Sequence, residues 1–208
     1  MLLITDVFHS LPWLYFSLVF LFSLMIGSFL NVVIHRLPIM LEREWQAEYL
    51  GYFNPETQPQ QEERYNLMVP RSACPHCGHA ITAMENIPLL SWLWLKGRCR
   101  ECQAPISARY PLVELLTALL SLVVAATFAP GWGLLAALLL TWVLVALTFI
   151  DLDKMLLPDQ LTLPLLWGGL LFNLAGGFAP LADAVIGAMA GYLVLWSLYW
   201  AFKLLTGK

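Results

Sequence analysis

Long apolar segments dominate the sequence and limit the folds that it can adopt. A helix needs roughly 20 apolar residues to cross a hydrocarbon core about 30 Å thick. Five segments reach or approach that length, at 11–34, 112–129, 134–150, 161–177 and 182–205. Charged residues make up only 12% of the 208 residues, about half the usual share in a soluble domain. The sequence therefore predicts an all-α, polytopic membrane protein with about five transmembrane helices.

A polar insert separates the first apolar segment from the other four. The predicted organisation is an N-terminal segment and first transmembrane helix at 1–34, the insert at 35–111, and transmembrane helices 2 to 5 at 112–208. The first apolar segment is too long for a cleaved signal peptide, so we expect it to remain as a membrane anchor. Inside the insert we expect a short amphipathic helix at 41–50, followed by a mobile loop rich in Pro and Gln.

The basic residues predict the side of the membrane on which the insert lies. It holds eight of the eleven Lys and Arg, and a five-helix topology places all eleven on one side. By the positive-inside rule that side is the cytoplasm, which leaves the N-terminus outside and the C-terminus inside. The net charge of −3 is too small to suggest a nucleic-acid partner.

Two C-x2-C pairs predict a zinc module at 74–102. Each pair forms a tight turn that directs two thiolates at one point, and two pairs can complete a tetrahedral S4 site. The ligands would be Cys74, Cys77, Cys99 and Cys102. Four protein ligands leave no open coordination position, so the zinc would be structural. Disulfides or redox-active thiols are the alternatives, although a reducing cytoplasm disfavours disulfides.

Other residues of this module carry weaker signals. Gly78 and Gly97 lie beside the cysteine pairs, where left-handed backbone is often needed. We expect His76 and His79 to be surface residues rather than metal ligands. The stretch SWLWLKGR at 91–98 suits a membrane interface, but its two tryptophans could equally pack inside the module.

Three aspartates follow the apolar segment that ends at Ile150. A carboxylate inside hydrocarbon costs several kcal/mol, so such groups are rare and usually functional. Asp151 is the closest to the membrane and is predicted to be functional. Asp153 is predicted to be solvated, and Asp159 to cap a helix that begins near Leu161.

With these residues the sequence resembles the type IV prepilin leader peptidases, which are bifunctional aspartyl proteases and N-methyltransferases of the bacterial inner membrane. GSFLNVVIHRLP at 27–38 matches the first-helix signature of that family. PRSACPHCGH at 70–79 and ENIPLLSWLWLKGRCRECQAPISARYPLVE at 85–114 match its cytoplasmic domain. FIDLDKMLLPDQLTLPLLWGGLLFN at 149–173 matches the segment that holds its first catalytic aspartate. The resemblance covers essentially all 208 residues in order.

The resemblance implies an activity and a set of site residues. Asp151 would be the first catalytic aspartate, and prepilins and pseudopilins would be cleaved on the cytoplasmic side after a leader glycine. The new N-terminus would then be methylated with S-adenosylmethionine. The sequence lacks a Rossmann glycine fingerprint, so the candidate donor-binding residues are those that flank the zinc module: Glu85, Asn86, Arg109 and Glu114. The last two could instead simply anchor the second helix.

The sequence departs from the family in its second catalytic group. Aspartyl proteolysis uses two neighbouring carboxylates, one ionised and one protonated. In the family the second carboxylate comes from a G-x-G-D motif, which these 208 residues do not contain. The later acids Asp153 and Asp159 are too close to Asp151 along the chain, and Asp183 is predicted on the outer side. We therefore expect an N-terminal portion of a longer enzyme that lacks peptidase activity by itself.

The sequence is also compatible with two other function classes. A noncatalytic scaffold could use the zinc module to dock a partner in a pilus or secretion assembly. A transporter-like bundle could use Asp151 as an ion site, but transporters place such sites near the bilayer midplane, where no predicted helix has a charged residue. The sequence identifies neither the particular prepilin nor the oligomeric state.

Overall fold

The computed structural model describes residues 11–53 and 64–207, and these residues are largely helical. The helices are α1 (Pro12–Phe53), α2 (Leu90–Trp94), α3 (Arg109–Thr127), α4 (Trp132–Lys154), α5 (Asp159–Leu174) and α6 (Leu181–Thr206), with a 3-10 helix at Met84–Asn86. The only β-structure within the described ranges consists of two isolated β-bridges. Most of the loop predicted after residue 50 lies outside these ranges.

Four of the helices are long and apolar enough to cross a membrane, namely α1, α3, α4 and α6. The prediction of a polytopic all-α membrane protein is therefore confirmed. The fourth predicted segment, 161–177, forms α5, which has only 16 residues and is about 24 Å long. It is shorter than predicted because the chain turns at Gly176, where φ is +83°.

Helix α1 is longer than the sequence predicted. Instead of one helix that ends at residue 34 and another at 41–50, a single helix of 42 residues runs through Pro38. Proline removes one backbone hydrogen bond from a helix, but Leu37, Pro38 and Leu41 are buried here, and this packing keeps the helix continuous. At about 63 Å, α1 is twice as long as the hydrocarbon core, so its C-terminal half belongs to the polar insert.

Helices α1, α3 and α4 pack together, and α1 and α3 approach each other closely at Gly27. A Cβ atom at this position would lie 2.7 Å from the Cα of Glu114, so only glycine allows the two backbones to come so close. On the same face of α3, the buried hydroxyls of Thr117 and Ser121 donate to the carbonyls of Val113 and Thr117 at 2.7 and 2.8 Å. Bonds of this kind satisfy the hydroxyl donors within α3 itself.

Different contacts close the two ends of this three-helix group. At one end Tyr15 packs with Leu134 and Leu138, and its hydroxyl donates to the Ala125 carbonyl at 3.3 Å. At the other end two ion pairs join the C-terminal end of α4 to α1 and to α3. Helices α1 and α4 therefore run parallel to each other and antiparallel to α3. The series of three aspartates after Ile150 starts at the end of the group that has the ion pairs.

The chain divides into two compact units after Pro158. The second unit contains α5 and α6, joined by a turn that Asn173 stabilises. Its side-chain oxygen accepts hydrogen bonds from the N–H groups of Phe178 and Ala179 at 2.8 and 3.1 Å. This unit is a helical hairpin.

Candidate active site and metal centre

The two cysteine pairs lie in loops with the same hydrogen-bonding pattern. In each loop the N–H of the first cysteine donates to the carbonyl five residues later, at 2.9 Å from Cys74 and 2.8 Å from Cys99. The residue after the second cysteine has a positive φ, +73° at Gly78 and +59° at Gln103. The left-handed backbone predicted at Gly78 is confirmed, whereas the matching conformation at Gln103 was missed because glutamine carries no such signal.

The four sulfur atoms converge and can hold a metal ion. All lie within 4.8 Å of one another, with 3.8 Å between Cys74 and Cys102 and 3.9 Å between Cys77 and Cys99. Zn–S bonds of about 2.3 Å in a tetrahedron separate the sulfurs by about 3.8 Å, whereas a disulfide requires about 2.05 Å. All four are free thiols, so the disulfide alternative is wrong in this structure. The N–H groups of His76 and Cys77 hold the pKa of Cys74 below its usual value, which favours the metal-binding thiolate.

The carboxylate of Glu85 links the two cysteine loops of the module predicted at 74–102, which we call the cysteine module. It accepts hydrogen bonds from the N–H and hydroxyl of Thr82 at 2.9 and 2.8 Å, and it lies 3.2 Å from Nε2 of His79 and 3.9 Å from Arg100. His79 follows the first cysteine pair and Arg100 lies within the second. The two groups of Thr82, followed by His79, lower the pKa of Glu85 to about 2. His76 is exposed, as predicted, and His79 is half-buried against Glu85.

The two tryptophans of the stretch 91–98 have different surroundings. The indole N–H of Trp92 donates to the Ile106 carbonyl at 3.1 Å, and its ring packs against Gly97, where a Cβ would lie 2.9 Å from the ring. Gly97 also has the predicted left-handed backbone, with φ of +68°. Trp94 is 76% exposed. The packing interpretation therefore holds for Trp92, whereas Trp94 faces outward and its place at a membrane interface stays a prediction.

Asp151 lies in the last turn of α4, and its side chain is exposed. Within the described residues its carboxylate makes no hydrogen bond or ion pair. Asp153 is exposed, as predicted, and it also pairs with Arg109. Asp159 lies in the first turn of α5, which begins at this residue rather than near Leu161. Asp151 is thus distinguished from Asp153 by having no partner among the residues that the structure describes.

Arg109 holds the last turn of α4 on both sides of Asp151. Its two Nη atoms each donate to one carboxylate oxygen of Asp153 at 2.6 Å, and Nη2 also donates to the Phe149 carbonyl at 3.3 Å. The guanidinium carbon lies 5.2 Å from the centre of the Phe149 ring. Lys154, three residues after Asp151, donates to Glu42 of α1 at 2.8 Å. The turn that carries Asp151 is therefore fixed to both neighbouring helices.

Glu114 joins the cysteine module to the membrane helices. It is 7% exposed, and its Oε2 accepts a hydrogen bond from the N–H of Leu89 at 2.8 Å. Nearby, the side-chain amide of Asn31 donates to the Tyr110 carbonyl at 3.0 Å, which ties α1 to the first turn of α3. These contacts position the module against the start of α3.

The four candidate donor-binding residues differ in their availability. Glu85, Arg109 and Glu114 each have partners within the structure: Thr82 and His79, Asp153, and Leu89. Asn86 is exposed at the end of the 3-10 helix. The structure thus gives three of these residues a local structural contact, as the sequence left open for Arg109 and Glu114.

Comparisons with known proteins place both parts of the chain in one group of enzymes. Residues 21–128 match the bacterial peptidase A24 N-terminal domain, and residues 138–207 match the type IV leader peptidase family. No solved structure matches the chain.

Relatives named prepilin leader peptidase/N-methyltransferase match along almost the whole chain. The protein of Aeromonas hydrophila is 85% identical over 208 residues, which cover 100% of this chain and 72% of that protein. The protein of Pseudomonas aeruginosa is 55% identical over 203 residues, covering 98% and 70%, and that of Stutzerimonas stutzeri is 56% identical over 186 residues, covering 89% and 64%. The chain belongs to the type IV leader peptidase family.

Proposed function

We propose that this protein is a prepilin leader peptidase and N-methyltransferase of the bacterial inner membrane. It would cleave the leader peptides of type IV prepilins and pseudopilins on the cytoplasmic side, and then methylate the new N-terminal residue. The observation that carries this proposal is the 85% identity, over all 208 residues, to an Aeromonas hydrophila protein of that name. The geometry around Asp151 supports the peptidase half.

Asp151 is the proposed catalytic aspartate. In aspartyl proteolysis an ionised carboxylate takes a proton from a water molecule, whose oxygen attacks the scissile carbonyl carbon, while a second, protonated carboxyl donates to the carbonyl oxygen. Asp151 suits the first or the second task because its carboxylate is exposed and has no partner in the described part of the chain. The contacts of Arg109 with Phe149 and Asp153 would hold it in place.

The second carboxylate is the critical requirement for activity. These 208 residues contain no G-x-G-D motif, and they span 72% of the length of the Aeromonas hydrophila relative. We expect the 208-residue chain to cleave no prepilin by itself, and a chain of the relatives' full length to do so. Cleavage by the purified 208-residue chain would contradict this expectation.

The decisive experiment compares two aspartate variants in a chain of the relatives' full length. Asp151→Asn should abolish cleavage of a prepilin while bound metal and N-methylation of a pre-cleaved substrate are retained. Asp159→Asn is the matched control, since this exposed acid starts α5 and should leave cleavage unchanged. A noncatalytic scaffold would instead leave the Asp151→Asn chain indistinguishable from the wild type, and normal cleavage by that variant would refute the assignment.

The metal of the cysteine module is proposed to be structural zinc. Cys74, Cys77, Cys99 and Cys102 could hold an ion and would fill all four positions of a tetrahedral site, which would leave no position for substrate. Cys99→Ser should lower the bound zinc measured by elemental analysis, because it removes one buried ligand. The exposed His76→Ala is the control and should retain it. Equal zinc content in the two variants would argue against the site.

S-adenosylmethionine would supply an activated methyl group to the new N-terminus. The predicted donor-binding residues Glu85, Asn86, Arg109 and Glu114 stay a prediction, and three of them would have to release present partners to contact a donor. They do not form a ready cradle, so we assign no step of the methyl transfer to them. Photo-crosslinking of the methyl donor to the purified protein, followed by mass spectrometry, would identify the residues in contact.

The proposed topology places the cysteine module in the cytoplasm and the N-terminus in the periplasm. Eight of the eleven Lys and Arg lie in the insert, which supports this orientation by the positive-inside rule. Alkaline phosphatase folds only in an oxidising compartment, so a fusion after Pro130, between α3 and α4, should be active and a fusion after Phe53 inactive. The reverse result would invert the topology.

A further inference from the structure

The cysteine module carries an apolar patch on one side of α2. Leu90, Leu93 and Trp94 have the i, i+3, i+4 spacing that places side chains on one helix face, and they are 65%, 63% and 76% exposed. Ile87, just before the helix, is also exposed. Trp92 lies on the other side, hydrogen-bonded to Ile106. We refer to Ile87, Leu90, Leu93 and Trp94 as the α2 patch.

The hydrogen bond between Leu89 and Glu114 determines the depth of the α2 patch along the membrane normal. Helix α3 has 19 residues and is about 28 Å long, so nearly all of it is needed to cross a core about 30 Å thick. Glu114 is the sixth residue of α3, about 8 Å from its start. Because Leu89 donates to Glu114 at 2.8 Å, and α2 begins at the next residue, α2 lies at the membrane boundary.

The charges next to the patch favour the same location. Lys96 and Arg98 follow α2 directly and are exposed, and Arg100 is 66% exposed. Exposed Trp and Leu beside Lys and Arg are typical of segments that lie in the membrane interface, where the apolar side chains reach the acyl boundary and the cations reach anionic headgroups. A water-facing module would gain nothing from four exposed apolar side chains in one patch.

We propose that the α2 patch inserts into the interfacial region of the bilayer, in the leaflet where α3 begins. The partner is the lipid surface itself: Ile87, Leu90, Leu93 and Trp94 contact acyl chains near the headgroups, and Lys96 and Arg98 contact anionic headgroups. The cysteine module is then held at the membrane surface by two attachments, the bond between Leu89 and Glu114 and this patch. The inference is independent of the proposed catalytic role of Asp151.

Fluorine NMR of the protein in lipid nanodiscs tests this placement. The protein is labelled with fluorotryptophan and embedded in a mixture of phosphatidylcholine and phosphatidylglycerol, and the Trp94 signal is assigned by its loss in Trp94→Phe. Retained metal content in that variant verifies that the module is folded. A nitroxide attached near the headgroup end of the lipid acyl chain should broaden the Trp94 signal strongly, whether or not a water-soluble gadolinium chelate also reaches it.

Trp92 provides the matched control, because it belongs to the same module but faces inward. Its signal should be broadened less than that of Trp94 by the lipid-borne nitroxide. Broadening of Trp94 by the gadolinium chelate alone would mean that the patch faces water, and would overturn the proposal. Broadening by neither agent would mean that protein covers the patch, either the α5–α6 unit, a second copy or another partner, and would overturn it as well.

Discussion

Replacing Gly27 by alanine tests the packing that joins the membrane helices to the cysteine module. The added Cβ would lie 2.7 Å from the Cα of Glu114, 3.2 Å from its carbonyl oxygen and 3.3 Å from the Cβ of Thr117. Nonbonded carbon atoms prefer about 3.5–4.0 Å, so α1 and α3 would have to separate by about 1 Å at this point. The two closest atoms belong to the backbone, so no rotation of a side chain can relieve the contact.

The magnitude follows from a comparison with Gly51→Ala on the same helix, where nothing lies within 4 Å of the added Cβ. Both substitutions gain the helix propensity of alanine over glycine, up to about 1 kcal/mol, and this gain cancels in the comparison. Overpacking costs about 1–3 kcal/mol. We therefore expect Gly27→Ala to be the less stable variant by that amount, which corresponds to a Tm lower by about 2–12 °C for a chain of this size.

Thermal unfolding in detergent micelles, followed by near-UV circular dichroism of the tryptophans, measures this difference. Because Glu114 moves with α3, the bond from Leu89 should weaken as well, and the module should lose its ordered tryptophan signal in the same transition. Equal Tm values for the two variants, with helix content retained, would refute the close approach of α1 and α3 at Gly27.

Three further substitutions test contacts in the module and at the end of α4. Arg109→Gln should lower the free energy of unfolding by about 1 kcal/mol or less, because the pair with Asp153 is about one-third exposed. The double variant in which the two charges are exchanged should recover part of this loss in a thermal melt. If it recovers none, the ion pair contributes nothing to stability. Glu85→Gln tests a carboxyl whose pKa in the fold is about 2 rather than 4.5, so the stabilisation by its ionised form is complete above pH 4.5 and is lost as the pH falls towards 2. The difference in the free energy of module unfolding between wild type and this variant should therefore shrink as the pH falls from 4.5 towards 2. A difference that stays constant over this range would contradict the role of the ionised form. Gly97→Ala should weaken metal retention in a chelator competition, since the left-handed backbone costs alanine about 1–2 kcal/mol and the added Cβ would clash with the ring of Trp92. Gly78→Ala is the control for the backbone cost alone, because nothing lies within 4 Å of its added Cβ.

The features that were predictable from sequence depend on local patterns. Apolar length identified the segments that became α1, α3, α4 and α6, because the bilayer sets a minimum length for a helix that crosses it. The C-x2-C spacing identified the convergent sulfurs, because a short loop leaves two thiolates few directions in which to point. Position beside an apolar helix made Asp151 a candidate site residue, and its role stays a prediction.

The features that were missed depend on contacts between distant residues. The continuity of α1 through Pro38 requires the burial of that residue, which no local signal reports. The partner of Arg109 lies 44 residues away, so sequence alone could not separate a helix anchor from a ligand contact. The left-handed Gln103 follows from the fold of the second cysteine loop, whereas glutamine by itself predicts no turn.

The ion pairs at the end of α4 also determine when the neighbourhood of Asp151 can form during synthesis. Glu42 precedes its partner Lys154 by 112 residues, and Arg109 precedes Asp153 by 44. Until the end of α4 has been synthesised, Glu42 and Arg109 cannot form these two ion pairs. The turn that carries Asp151 is therefore among the last parts of the three-helix group to be fixed, because both ion pairs need residues at the end of its third helix.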